Sequence, residues 1–197
     1  MNNVVLFDLD GTLIDSYESV LSAIEESLQS LSIQPPKELY YERAVGKLLH
    51  IAERHLPTNI SNTFFRNLYD SVLSKKTLNG VKVNGKAEKL IAQIKLAGFS
   101  LCVLTNKKQS IAEVICNSLF TIGTFDAIIG RKSSEPIKPY QRVFDVLWNY
   151  NIQINKIQCL IGDSEDDRLT AELLGTEFYN IKALPPDKIV EVIFWKK

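Results

Sequence analysis

The sequence predicts an alternating α/β fold: a parallel five-stranded sheet whose strand and helix alternation is interrupted once by an inserted all-helical segment. Three observations lead there. Short apolar runs recur with helical patterns between them, the alternation breaks after the first run, and polar residues gather where the runs end.

The first run, Val4 to Leu9, is almost wholly apolar, as a strand covered on both faces must be. Phe99 to Leu104, Phe125 to Ile129, Ile157 to Ile161 and Glu177 to Ile181 complete the expected sheet. Between the later strands, Lys86 to Ala97 sets Leu90, Ile91 and Ile94 on one helical face before Gly98 ends it, and Tyr140 to Tyr150 does the same with Val143, Phe144 and Leu147. After the first strand, roughly seventy residues of helical pattern pass without a convincing strand. Within them, Val20, Leu21, Ile24, Leu28 and Leu31 define one amphipathic helix, and Phe64, Phe65, Leu68, Val72 and Leu73 another. Pro35, Pro36 and Gly46 punctuate shorter pieces between them. The expected division is a core of residues 1–15 and 85–197 carrying a helical insert of residues 16–84. Gly80 and Gly85 flank Val81 to Asn84 as a candidate hinge, or simply as turn punctuation.

Composition narrows the function classes. The 197 residues are 45% hydrophobic, enough to bury a sizeable core, and Lys+Arg 23 balance Asp+Glu 23 for a formal net charge of +0. Such a chain has no global field to recruit nucleic acid or an anionic membrane, so an anionic substrate must be attracted locally. The N-terminus lacks a signal-peptide pattern and no segment is long and apolar enough to span a bilayer, which places the expected location in the cytoplasm. Cys102, Cys116 and Cys159 are widely spaced and form no CxxC pair, against both a disulfide framework and a zinc site. His50 and His55 are five apart and make poor joint metal ligands. Oligomeric state is left open, because an apolar helix of the insert can face the core or a partner.

Ligands of an open parallel sheet bind beyond the carboxyl ends of its strands. The first strand ends in Asp8-Leu9-Asp10-Gly11-Thr12, where alternation puts Asp8 and Asp10 on the same side: one can be a nucleophile, the other a proton donor. Gly11 lets the chain turn sharply. Two carboxylates so close call for a cation between them, and a hard oxygen-seeking ion such as Mg²⁺ also bridges to phosphate oxygens. The fourth strand ends in Gly162-Asp163-Ser164-Glu165-Asp166-Asp167, with Asp163 the best direct ligand and Asp167 a second or water-mediated one. Thr105 and Asn106, ending the second strand, supply donors for phosphoryl oxygens. Lys138, ahead of Pro139, can neutralise aspartyl and phosphoryl charge. Arg131 is either a ligand for a substrate carboxylate or a loop arginine facing water.

In this order, Asp8-Leu9-Asp10-Gly11-Thr12-Leu13, Thr105-Asn106, Lys138-Pro139 and Gly162 to Asp167 resemble the four motifs of the haloacid dehalogenase superfamily. The resemblance implies a Rossmann-like core with a helical cap inserted after the first strand. It makes Asp8 the nucleophile that forms an aspartyl-phosphate, and Asp10 the acid that protonates the leaving group and then activates water. It makes Thr105 and Lys138 the groups that hold the phosphoryl group, and assigns Mg²⁺ to Asp8, the Asp10 backbone carbonyl and Asp163, with Asp167 in support. Gly11, Thr12 and Asn106 are expected to line the substrate site, and Lys47, beside Gly46 in the insert, to help select the substrate. Family dehalogenases lack an acid at the position of Asp10, so the resemblance favours phosphoryl transfer. The run through Ser16 looks most like phosphoglycolate phosphatase and its neighbours, which implies a small phosphorylated metabolite as substrate and neither nucleic acid nor membrane as partner. A β-phosphoglucomutase-like phosphotransferase and a non-catalytic regulatory module are the alternatives.

Overall fold

The structure, a computed structural model, describes residues 3–195. Its elements run β1 (Val4–Phe7), β2 (Ile14–Asp15), α1 (Tyr17–Ser30), α2 (Glu38–Tyr41), α3 (Val45–Arg54), α4 (Asn62–Lys75), β3 (Lys82–Val83) and α5 (Gly85–Leu96). They continue as β4 (Ser100–Lys108), α6 (Gln109–Leu119), β5 (Ala127–Arg131), α7 (Arg142–Asn149), β6 (Ile157–Gly162), α8 (Glu165–Leu174), β7 (Glu177–Asn180) and α9 (Pro186–Trp195). The chain divides into two compact units, Met1–Ile14 with Val83–Lys197 and Asp15–Lys82.

The first unit carries a five-stranded sheet in the order β5-β4-β1-β6-β7. Its pairs are parallel, with Leu6 opposite Cys102 and Leu160, and Phe7 opposite Val103 and Ile161. Strand β1 is therefore central, and Val5, Leu6 and Phe7 are fully buried because helices cover both faces. One face packs Leu6, Leu104, Ile129 and Leu160 with Val143 and Leu147 of α7 and Leu174 of α8. Helix α5 packs against α9, and α6 against β4 and β5. At its C-terminus α8 stops at Gly175, whose φ of +66° is the left-handed cap that glycine adopts without strain.

The second unit is helical. Helix α1 buries Val20, Ala23, Ile24 and Leu28 and packs against α3 and α4. Helix α4 buries Phe65, Tyr69, Val72 and Leu73, positions spaced four, three and one apart, whereas Phe64 falls outside that stripe and is 54% exposed. Arg66 on α4 ion-pairs with the buried Glu53 of α3, which His50 also approaches at 3.4 Å.

Some boundaries differ from the sequence expectation. The short strands β2 and β3 pair as a two-stranded sheet where none was expected, β3 falling inside the stretch flanked by Gly80 and Gly85. Strand β4 runs on past Leu104 to Lys108, its pairing with β5 shifting register on the way. Helix α7 starts at Arg142, because Ile137 to Tyr140 form a turn closed by Tyr140 N–H donating to Ile137 O at 3.0 Å.

Candidate active site

The carboxyl ends of β1, β4 and β6 converge, and with them the acids of the first unit. The pairing of β1 with β6 continues past Phe7, as Asp8 N–H donates to Ile161 O at 2.9 Å. Gly11 then reverses the chain with φ +82°, and its N–H donates to Ile14 O at 2.8 Å. A side chain at Gly11 would land on the Asp163 carboxylate, so this glycine supplies both the turn and the space the acid occupies. Gly162, still within β6, leaves space in the same way for Asp167, whose carboxylate lies where a Cβ on Gly162 would stand.

Helix α8 fixes the two acids of the fourth strand end. Asp167 closes a reciprocal cap with Ser164: its Oδ2 accepts from Ser164 Oγ at 2.6 Å and Ser164 N at 3.1 Å, while its own N–H donates to Ser164 Oγ at 3.3 Å. Asp163 N–H donates to the same Oδ2 at 3.2 Å. Carboxylate oxygens of Asp8, Asp163 and Asp167 come within 4.8 Å of one another, close enough to share one cation.

Lysines face these acids. Lys138 Nζ, almost wholly buried, lies 2.6 Å from Asp8 Oδ1 and 2.5 Å from Asp167 Oδ1. Burial opposes the charge on Lys138, but the two carboxylates outweigh it and hold the ammonium above its ordinary range. Asp8 shows the opposite balance: burial first, then the Asp167 charge, push its carboxyl well above the usual carboxylate range, and Lys138 offsets only part of that. Asp163 is also raised by burial, against the pull of Lys182, whose Nζ sits 2.5 Å from its Oδ2. Lys107 Nζ lies 3.1 Å from Asp10 Oδ1 with its side chain 4% exposed. Four carboxylates thus meet three ammonium groups, leaving one unit of negative charge when all are ionised. A divalent ion would turn that balance positive, as a site for a phosphoryl anion requires. The all-oxygen donor set of three buried or half-buried acids suits Mg²⁺.

The remaining sequence candidates fall in different places. Thr105 is buried, and its Oγ1 accepts from Lys107 N–H at 3.1 Å, which leaves the hydroxyl proton to donate. Two expected substrate contacts are revised. Thr12 is fully buried and its hydroxyl has no partner among the described residues, so it presents no surface to a ligand. Asn106 turns its amide onto the Lys138 backbone rather than toward the acids. Arg131 is 5% exposed and donates to Asn106 O and Ser133 O, so it neither faces water nor reaches for a substrate carboxylate. Lys47 lies on α3 with its side chain 69% exposed, 3.9 Å from Glu42.

Lys107 and Lys182 were missed in the sequence. A signal for Lys107 existed, since the alternation that pairs Asp8 with Asp10 also pairs Thr105 with Lys107. For Lys182 the signal was weaker, a single lysine directly past the expected fifth strand.

A central strand ending in Asp8, with an acid cluster at the next strand end, is an arrangement suited to a hydrolase, and the comparisons agree with that class. The haloacid dehalogenase-like hydrolase pattern matches residues 5–181, and the chain belongs to that family. Within it the chain is a phosphatase similar to phosphoglycolate phosphatases. It is 34% identical to that of Aquifex aeolicus (strain VF5) over 88% of this chain and 82% of the relative, and 26% identical to that of Yersinia pseudotuberculosis serotype I over 87% and 77%. Among solved structures, a haloacid dehalogenase-like family hydrolase from Streptococcus pneumoniae superposes with TM-score 0.73 at 21% identity, covering 91% of this chain and 84% of that one. CbbY from Rhodobacter sphaeroides in complex with phosphate superposes with TM-score 0.67 at 22% identity, covering 90% and 85%. Both share the fold.

Proposed function

We propose that the chain is a Mg²⁺-dependent phosphatase that hydrolyses a small phosphorylated metabolite, phosphoglycolate-like or a sugar phosphate, through a phosphorylated Asp8. The observation that supports this best is the Asp8 carboxylate itself, held by Lys138 on one oxygen and grouped with Asp163 and Asp167 at the mouth of the central strand. The phosphoglycolate phosphatase relatives support the substrate class.

In the first step an Asp8 oxygen attacks phosphorus while the bond from phosphorus to the substrate's ester oxygen breaks, and Asp10 delivers a proton to that leaving oxygen. In the second step water attacks the aspartyl-phosphate, Asp10 takes back a proton, and Asp8 leaves as a free carboxylate with inorganic phosphate. Lys138 steadies the carboxylate in both steps, and the Thr105 hydroxyl donates to a phosphoryl oxygen. Lys107 keeps the Asp10 carboxylate in place between its two proton transfers. Asp8, the Asp10 backbone carbonyl and Asp163, with Asp167 in support, would hold Mg²⁺, which would neutralise charge on the phosphoryl oxygens.

Phosphate release from phosphoglycolate and from a panel of sugar phosphates tests the reading, with and without Mg²⁺ and with Asp8→Asn beside the wild type. Release should need the ion and vanish in the variant. Turnover by Asp8→Asn at wild-type rate would overturn the mechanism, and full activity in a chelator would overturn the metal.

A further inference from the structure

Lys138 lies in the loop between β5 and α7, yet its ammonium meets two buried oxygens at 2.6 and 2.5 Å. A loop lysine has four rotatable methylenes and a free backbone, so such placement needs something to fix where the backbone begins. Asn106 does this. Its Oδ1 accepts from Ile137 N–H at 2.8 Å and from Lys138 N–H at 2.9 Å, and its Nδ2 donates to Lys138 O at 2.9 Å. One side chain thus satisfies both backbone groups of Lys138. Aspartate could accept but not donate, and serine is too short to span the three contacts.

Arg131 secures the other end of the same loop. Its Nε donates to the backbone oxygen of Asn106 at 2.7 Å and its Nη1 to Ser133 O at 2.8 Å. The guanidinium therefore ties the end of β4 to the start of the loop, while the Asn106 amide ties β4 to the loop's end. The planar fork of arginine suits two carbonyls at once in a way a lysine ammonium does not.

We propose that Asn106 and Arg131 are positioning residues for Lys138, acting on turnover only through where they set its ammonium. This rests on the reading of Lys138 given above. It also replaces two roles the sequence suggested, Asn106 as a phosphate donor and Arg131 as a ligand for a substrate carboxylate.

The test is a pair of double-mutant cycles on phosphate release, with Asn106→Ala and Arg131→Lys each made in the wild type and in Lys138→Ala, and with thermal midpoints recorded for all variants. A misplacement of about 1 Å costs on the order of 10²-fold in turnover, so Asn106→Ala should lose about that much in the wild type. In the Lys138→Ala background it should lose less than about threefold, because residues that act as one unit are not additive. Arg131→Lys, the milder change, should lose about tenfold in the wild type and again almost nothing without Lys138. A purely structural weakening would lower turnover equally in both backgrounds, as would direct contact of Asn106 with the phosphoryl group, and either result overturns the proposal. Should Asn106→Ala not fold, the Arg131→Lys cycle decides alone. If Lys138→Ala by itself leaves turnover unchanged, the role of Lys138 fails, a result distinct from failure of the coupling.

Discussion

Gly11→Ala separates backbone strain from disruption of the site. An alanine at φ +82° sits in the left-handed region, which costs an L-residue about 1–2 kcal/mol. For a chain of this size, 1 kcal/mol moves the thermal midpoint by about 2–4 °C, so strain alone lowers it by about 2–8 °C. The new methyl would also land on the Asp163 carboxylate, whose side chain is 6% exposed and engaged by Lys182, so the acid must leave its position. A shift of about 1 Å there should cost on the order of 10²-fold in turnover. Gly175→Ala is the control: its φ of +66° carries the same strain, but open space surrounds the position. Measured by calorimetry and by phosphate release at saturating Mg²⁺, Gly175→Ala should show the strain loss alone, Gly11→Ala at least as large a loss of stability, and only Gly11→Ala should lose activity. If the two retain equal activity, Asp163 does not need the space that Gly11 leaves, and the account of the acid cluster is wrong.

Other outcomes follow from buried groups elsewhere. Burial alone would raise the Glu53 carboxyl, but Arg66 and then His50 outweigh it and hold the group below its usual range. A depressed carboxyl stabilises the folded state fully above its unfolded value, near 4.3, and progressively less as the pH falls through the folded value. Thermal midpoints compared between pH 6 and pH 3.5 should therefore fall further for the wild type than for Glu53→Gln. Arg66→Met, which strands the Glu53 charge, should cost about 3 kcal/mol or more in a denaturant titration. Burial, ahead of the nearby Asp126 and Asp10 charges respectively, pushes the Cys102 and Cys116 thiols up to about 12. Native protein at pH 8 should resist alkylation at both thiols, which should react once it is unfolded, as peptide mass mapping can show.

The sheet was legible because its strands are buried on both faces and so read as unbroken apolar runs, as Val4 to Phe7 and Ile157 to Ile161 do. Strand order was not, since nothing in a run of valines and isoleucines says which neighbour it will take. Boundaries slipped where backbone geometry and hydropathy part company. Strand β4 stays extended through Thr105, Asn106 and Lys107 although its apolar run stops at Leu104. The acids were legible as polar residues just past strand ends, and Lys138 as the Lys-Pro pair ahead of the next helix. The tasks of Asn106 and Arg131 were not, because both are spent on backbone carbonyls and amides, which have no signature in sequence. Phe64 shows the limit of counting apolar residues, for one step of about 100° around a helix carries a phenylalanine from core to solvent.

The lysines set among the acids bear on what the proposed ion would do for the fold. In folds where ligands face one another bare, removing the metal unmakes the structure. Here Lys138, Lys107 and Lys182 act as resident counter-ions, each already on a carboxylate. On the proposed reading, loss of Mg²⁺ would then leave these acids paired and cost activity rather than the fold.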